Sequence, residues 1–160
     1  MLSIITITYQ AEAYIERTLQ SLAGQGHREE IEYIVIDGGS KDGTLGILNQ
    51  SPIKIDQLIS EKDQGIYDAM NKGLALASGD YVLFMNSGDE LFASDTVEKV
   101  FATAPNADIY YGETEMYNEA WQSMGKRRHS VPEKFTWKSF RFGMTISHQA
   151  IYIRRTLTEP

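Results

Sequence analysis

The chain of 160 residues contains no cysteine. That absence excludes disulfide scaffolds, thiolate zinc sites, iron–sulfur clusters and thiol nucleophiles. Basic residues are few: 15 Lys and Arg stand against 22 Asp and Glu, a net charge of −7. Such a chain lacks the cationic surface that neutralises nucleic-acid phosphates, so no nucleic-acid partner is expected. Nor is there any general attraction to anionic lipid. No apolar run approaches the roughly 20 residues of a membrane span. The opening stretch, Met1 to Tyr9, has neither a basic flank nor a small-residue cleavage site, so no signal peptide is expected and a cytoplasmic place is the default. Two phosphate cradles are missing as well. The loop after the first apolar segment, Tyr9-Gln10-Ala11, carries no glycine, and no G-x-x-x-x-G-K-[ST] occurs anywhere.

What is present is a globular composition, 42% apolar and 23% charged, at a length suited to one domain. Leu2 to Thr8 is β-branched and nearly continuous in apolar character, the pattern of a strand buried on both faces. Ile15, Leu19 and Leu22 then recur at helical spacing before Gly24, a candidate end cap. A second buried strand, Tyr33 to Ile36, ends in Asp37 and runs into the glycine-rich loop Gly38 to Gly43. Leu45 to Leu48 reads as a short helix and Ile55 to Ser60 as a weak strand. Ile66, Ala69, Met70, Gly73, Leu74 and Ala77 line one face of the clearest helix. Tyr81 to Met85 is the next buried strand. Asp95 with Glu98 fits a capping box for a helix carrying Val97, Val100 and Phe101. Beyond Pro105 the pattern is strand-rich, at Ile109 to Tyr111, Glu115 to Tyr117 and Gln122 to Met124.

Strands alternating with helices over the first hundred residues predict an α/β fold with a mostly parallel central sheet flanked by helices. Ligands of such sheets sit at the carboxyl ends of the strands. Thr8-Tyr9-Gln10, Asp37 to Gly43, Glu61-Lys62-Asp63 and Asn86 to Asp89 all fall there. Asp37, Asp63 and Asp89 each follow a predicted strand. A carboxylate in that position accepts hydrogen bonds from a nucleobase or a ribose, or ligates a hard divalent cation. Each residue taken singly also reads as an ordinary turn former; their gathering at one sheet edge favours a shared ligand.

At these residues the sequence resembles the family 2 glycosyltransferases of the GT-A fold, in the branch of small bacterial enzymes that build surface polysaccharides. The resemblance is carried by Ser3 to Tyr9, Ile34 to Thr44, Ser60 to Gly73, Ala77 to Tyr81, Phe84 to Glu90 and Ser147 to Ala150. It runs from Met1 to about Arg155, nearly the whole chain. It implies a nucleotide-diphospho-sugar transferase fold with a Rossmann-like N-terminal half. The implied organisation is a single domain over 1–160, with 1–103 the nucleotide-sugar-binding half and 104–160 an incomplete acceptor-side half. The implied reaction is transfer of a sugar, with inversion, from a nucleotide-sugar donor such as a UDP-sugar. The acceptor is a saccharide or a lipid-linked molecule, which would suit peripheral association with the inner face of a membrane.

Carried over by position, the resemblance puts Thr8 and Tyr9 at the base and makes Asp37 the acceptor for the uracil imide. Asp63 lies close to the nucleoside. Beside the resemblance, Asn71 on the clearest helix can reach the donor, with a polar contact at the helix terminus as the alternative. Asn86 and Ser87 belong to the acidic signature in which Asp89 ligates Mn2+ or Mg2+. The sequence departs from the family where the first signature carboxylate is replaced by Asn86, which leaves fewer charges to hold a cation in the absence of nucleotide. His148, near the donor phosphates by resemblance, is the one catalytic candidate; an ordinary surface or core histidine is the alternative. Tyr67 reads as packing. The run Lys126-Arg127-Arg128-His129 suits a diphosphate or a solvated hairpin face.

An inverting transfer needs a general base on the acceptor side. In the family that carboxylate follows the His-Gln pair by a considerable stretch. After Gln149 the sole carboxylate side chain is Glu159, beside the terminal Pro160. The expectation is therefore a chain cut short, its base beyond the chain end, that binds donor and transfers sugar poorly. A nucleotide-sugar-binding module without turnover is the alternative reading.

Overall fold

The computed structural model describes residues 1–126, 136, 138 and 146–158. Its centre is a six-stranded sheet. The N-terminal strands are β1 (Leu2–Thr8), β2 (Ile31–Asp37), β3 (Gln57–Ser60) and β4 (Tyr81–Phe84), followed by β5 (Ile109–Tyr111) and β8 (Ile151–Arg154). A separate two-stranded hairpin is made by β6 (Glu115–Tyr117) and β7 (Ser123–Lys126). The sheet order is β3-β2-β1-β4-β8-β5. β1 to β4 are mutually parallel, and β8 runs antiparallel between β4 and β5.

The helices are α1 (Ile15–Ala23), α2 (Thr44–Asn49), α3 (Ile66–Leu76) and α4 (Thr96–Thr103). They cover both faces, which is why β1 and β2 read as unbroken apolar runs. On one face Leu2, Ile4, Tyr33 and Val35 pack against Ile15, Leu19 and Leu22 of α1, Leu48 of α2 and Val97 of α4. On the other, Ile5, Ile7, Ile34 and Ile36 pack with Ala69 of α3 and with Ala77 just beyond it. Where β4, β5 and β8 meet α4, Tyr81, Phe101, Tyr110 and Tyr152 form a ring cluster with centroids 5.0 to 6.1 Å apart.

The structure departs from the sequence-based expectations at several points. β8 was not expected; its four residues, Ile151 to Arg154, are too short to announce themselves by period. β5 and β8 complete the same sheet as β1 to β4. β7 begins one residue later than expected and runs to Lys126. Asp95 precedes α4 but makes no capping bond; its Oδ2 pairs with Lys99 at 2.8 Å, one turn on. Ile66, expected on the buried face of α3, is 47% exposed at the helix start. Gly24 does end α1, in the ordinary right-handed conformation at φ −77°. Arg127 to His129 and Glu159 lie outside the described residues.

Candidate functional site

The parallel register sets Thr8, Asp37 and Ser60 side by side across the carboxyl ends of β1, β2 and β3. Beyond β4, Ser87 joins the row: its N–H and its hydroxyl both donate to the Ile7 carbonyl, at 3.3 and 3.2 Å. The loops leaving these strands are tied to one another. Gln10 N–H donates to Ser40 Oγ at 2.8 Å, Ala11 N–H to Thr44 Oγ1 at 2.8 Å and Glu12 N–H to Asp42 at 3.2 Å. Glu12 in turn accepts from the Gly43 N–H.

Asp37 is 0% exposed, and its carboxylate is engaged inside its own loop. It accepts from Gly39 N–H at 3.1 Å, Ser40 N–H at 2.9 Å, Ser60 Oγ at 2.6 Å and also the Ser40 hydroxyl. Four donors use most of the capacity of a carboxylate. Here Asp37 holds the glycine loop in shape.

Asp63 is more accessible. Its Oδ1 accepts from Gly65 N–H at 2.9 Å. Its Oδ2 lies over Gly38, where a Cβ would stand 2.7 Å from that oxygen and 3.3 Å from the Tyr9 ring. Glycine at 38 therefore lets Asp63 and the 61%-exposed Tyr9 flank one backbone position. Asn71 is exposed on α3. Thr8 is buried, and its hydroxyl has no hydrogen-bond partner among the described residues.

Asn86 to Asp89 form a closed turn. Asp89 N–H donates to Asn86 O at 3.0 Å, and Asn86 N–H donates to the Asp89 carboxylate at 3.0 Å. Gly88 has φ +95° at the third position, where a type II turn requires glycine. The Asn86 side chain lies 3.1 Å from His148 Nε2, so one residue links Asp89 to the exposed His148. The Asn86 Oδ1 is buried without a partner among the described residues. Burial raises the Asp89 carboxyl above its ordinary value, opposed by the Asn86 N–H, the Gln149 side chain and nearby His148.

Sequence reasoning missed how this turn is anchored. On α1, Thr18 and Ser21 turn buried or half-buried hydroxyls away from the helix and onto residues 88 to 91. Gln25, just past the helix, donates to Ala93 O at 2.7 Å. The only signal was three polar residues at helical spacing facing a core. On the far side of Asp89 a cleft of about 590 Å³ opens, lined by Glu113, Glu115, Tyr117, Trp121 and Gln149 among others. Arg17 lies over the Trp121 ring at 3.7 Å, and Tyr117 stacks on the same indole at 5.3 Å.

Among the described residues, no three His, Asp or Glu side chains gather as a ready-made cation site. The donors available at the β4 end are the Asp89 carboxylate, the His148 imidazole and the orphaned Asn86 Oδ1. That set suits a hard cation that keeps waters and takes further oxygens from a phosphate ligand.

The family model for glycosyl transferase family 2 matches residues 3–158. The chain belongs to glycosyl transferase family 2. A curated relative, the PGL/p-HBAD biosynthesis glycosyltransferase of Mycobacterium bovis BCG, is 36% identical over 163 residues, covering 98% of this chain and 60% of the relative. This family 2 chain thus spans about 60% of the length of that relative. Among solved structures it is similar to S. aureus TarS 1-349 in complex with UDP-GlcNAc, with a TM-score of 0.60 and 30% identity over 68% of this chain and 32% of that one. The mannosyltransferase PcManGT from Pyrobaculum calidifontis, in complex with GDP-Man and Mn2+, shares the fold at a TM-score of 0.60. Its identity is 24%, over 68% of this chain and 34% of that one. The mostly parallel sheet with helices on both faces is the GT-A architecture of this family. Among the described residues no helix is long and apolar enough to cross a membrane.

Proposed function

We propose that this chain is the donor-binding part of an inverting glycosyltransferase that moves a sugar from a UDP-sugar to a saccharide or lipid-linked acceptor in cell-surface polysaccharide synthesis. The observation that carries the reading is the cluster at the end of β4. Asp89, Asn86 and His148 are linked by hydrogen bonds, and two buried oxygens of the same strand ends, Thr8 Oγ1 and Asn86 Oδ1, lack a partner among the described residues. Buried polar atoms without partners are costly, so unpaired oxygens at a strand-end crevice favour a ligand that completes them. The UDP-GlcNAc complex of TarS supports the uridine donor.

In this reading Tyr9 and Asp63 flank the base over Gly38, and Thr8 and Ser87 line the nucleotide. Asp37 fixes the glycine loop beside them, through its bonds with Gly39, Ser40 and Ser60. Asn71 is exposed on α3, facing the donor side in the same reading. Asp89 and His148 would hold Mn2+ or Mg2+. The cation supplies charge that offsets the diphosphate and stabilises the departing nucleotide. Because Asn86 contributes no charge, Asp89 is the one carboxylate of this turn, and cation and nucleotide should bind together. The acceptor would enter by the cleft past Asp89. A cytoplasmic place, at the inner membrane face for a lipid-linked acceptor, belongs to the same proposal.

A panel of nucleotide-sugars with and without Mn2+ tests it by thermal denaturation, since a ligand of the folded state must raise its stability. A UDP-sugar should raise the melting temperature more with Mn2+ than with chelator. No shift with any nucleotide-sugar would contradict the proposal.

A further inference from the structure

Inside a helix a threonine hydroxyl ordinarily bonds the carbonyl three or four residues back. Thr18 spends its hydroxyl elsewhere. Fully buried on α1, its Oγ1 donates to Asp89 O at 2.9 Å and accepts from Gly88 N–H at 2.9 Å. One side chain thus clasps the Gly88–Asp89 segment from both ends. Three residues on, Ser21 Oγ accepts from Leu91 N–H at 2.8 Å and continues the seam.

We propose that Thr18 is a positioning residue for cation-dependent nucleotide binding, fixing the Gly88–Asp89 backbone so that the Asp89 carboxylate stands beside Asn86 and His148. The inference rests on the reading of Asp89 given above. Its physical basis is a division of labour within the turn. The Asp89 carboxylate is anchored by the Asn86 N–H alone among backbone donors, and a cation would compete for that same oxygen. The Asp89 N–H bond to Asn86 O closes the turn from within, and the Thr18 hydroxyl holds it from outside with bonds that a cation leaves untouched. Removing it strips two partly buried backbone groups of their partner, which frees the turn to shift. Tyr9 and Asp63, on the opposite side of the strand row, are not touched by Thr18, so contacts to the base should survive its loss.

The test is calorimetric titration of UDP into the wild-type chain and its Thr18→Val, Thr18→Ser and Thr6→Val variants, each with Mn2+ and with chelator. Thr6 is an equally buried hydroxyl that accepts from Tyr33 OH at 3.1 Å and makes no bond to Gly88 or Asp89 among the described residues. Thr18→Val should lose about tenfold of the Mn2+-dependent gain in UDP affinity, as two lost hydrogen bonds imply, with its affinity in chelator unchanged. Thr18→Ser, which keeps the hydroxyl, and Thr6→Val should both retain the gain. Thr18→Val keeping the full gain, or weakening equally in chelator, would overturn the positioning role. A wild-type chain with no Mn2+ gain would overturn the reading of Asp89 itself, and this inference with it. Should Thr18→Val fail to fold, hydrogen exchange on the wild-type chain still decides: the Gly88 amide should be protected, and free exchange there overturns the anchor.

Discussion

Asp89 sits where burial works against its own charge. Its carboxyl is raised mainly by desolvation, only partly offset by the Asn86 N–H, Gln149 and His148. A carboxyl whose pKa is higher in the folded chain contributes stability that is fully present below the unfolded value and is lost as pH rises through the folded one. Asp89→Asn removes that cost, while the amide oxygen can still accept the Asn86 N–H. The variant should therefore match or exceed the wild type in melting temperature at pH 7. The wild type should gain on it as pH falls through the carboxylate range. The same variant should lose the cation-dependent part of UDP binding, since a cation would lose the turn's carboxylate. Melting curves at pH 7 and pH 4, paired with UDP titration, check both halves. A variant less stable than wild type at pH 7 would place Asp89 among ordinary turn residues. Asp37 teaches the converse lesson. Its place at the end of β2 was legible in the sequence. Its engagement by Gly39, Ser40 and Ser60 was not, because loop hydrogen bonds leave no periodic trace.

At the scale of elements, α3 depends on close approach to the sheet. A Cβ at Gly73 would stand 2.3 Å from Ile5 Cγ2, inside any tolerable contact. Alanine would gain up to about 1 kcal/mol of helix propensity over glycine, but overpacking costs about 1–3 kcal/mol. Gly73→Ala should therefore lower stability, and denaturant unfolding would show it. The opposite sheet edge carries a second dependence. Glu32 on β2 accepts from Ser3 Oγ at 2.5 Å and from the Ser78 N–H and hydroxyl, each at 2.8 Å. Burial alone would raise its carboxyl, but these bonds and the Gly79 N–H hold it below its usual range. Its stability is thus present above the unfolded pKa and lost as pH falls through the folded one. Glu32→Gln should cost on the order of 1 kcal/mol at neutral pH, and the difference from wild type should vanish in acid. Elements were the most legible level. β1, β2 and α3 declared themselves through buried runs and helical spacing. The capping box at Asp95 and Glu98 was a local pattern; in the structure Asp95 pairs with Lys99 instead. The Thr18 seam lay hidden because its partners are about 70 residues away, at a separation no window of sequence spans.

For the whole molecule, parallel strand order brings Thr8, Asp37, Asp63 and Asp89 to one sheet edge, and so turns scattered loops into a crevice. That much followed from alternating strands and helices. The antiparallel insertion of β8 did not, although it carries His148 to the Asn86 side chain. Cation and nucleotide at this crevice should be coupled, each raising the affinity for the other by the same factor. A crystal structure of this chain with UDP and Mn2+ tests the account most directly. It should show uracil between Tyr9 and Asp63 over Gly38, Asp37 still bonded within its loop, and Mn2+ on Asp89 and the diphosphate. Uracil bonded to a freed Asp37, or Mn2+ held without Asp89, would contradict it.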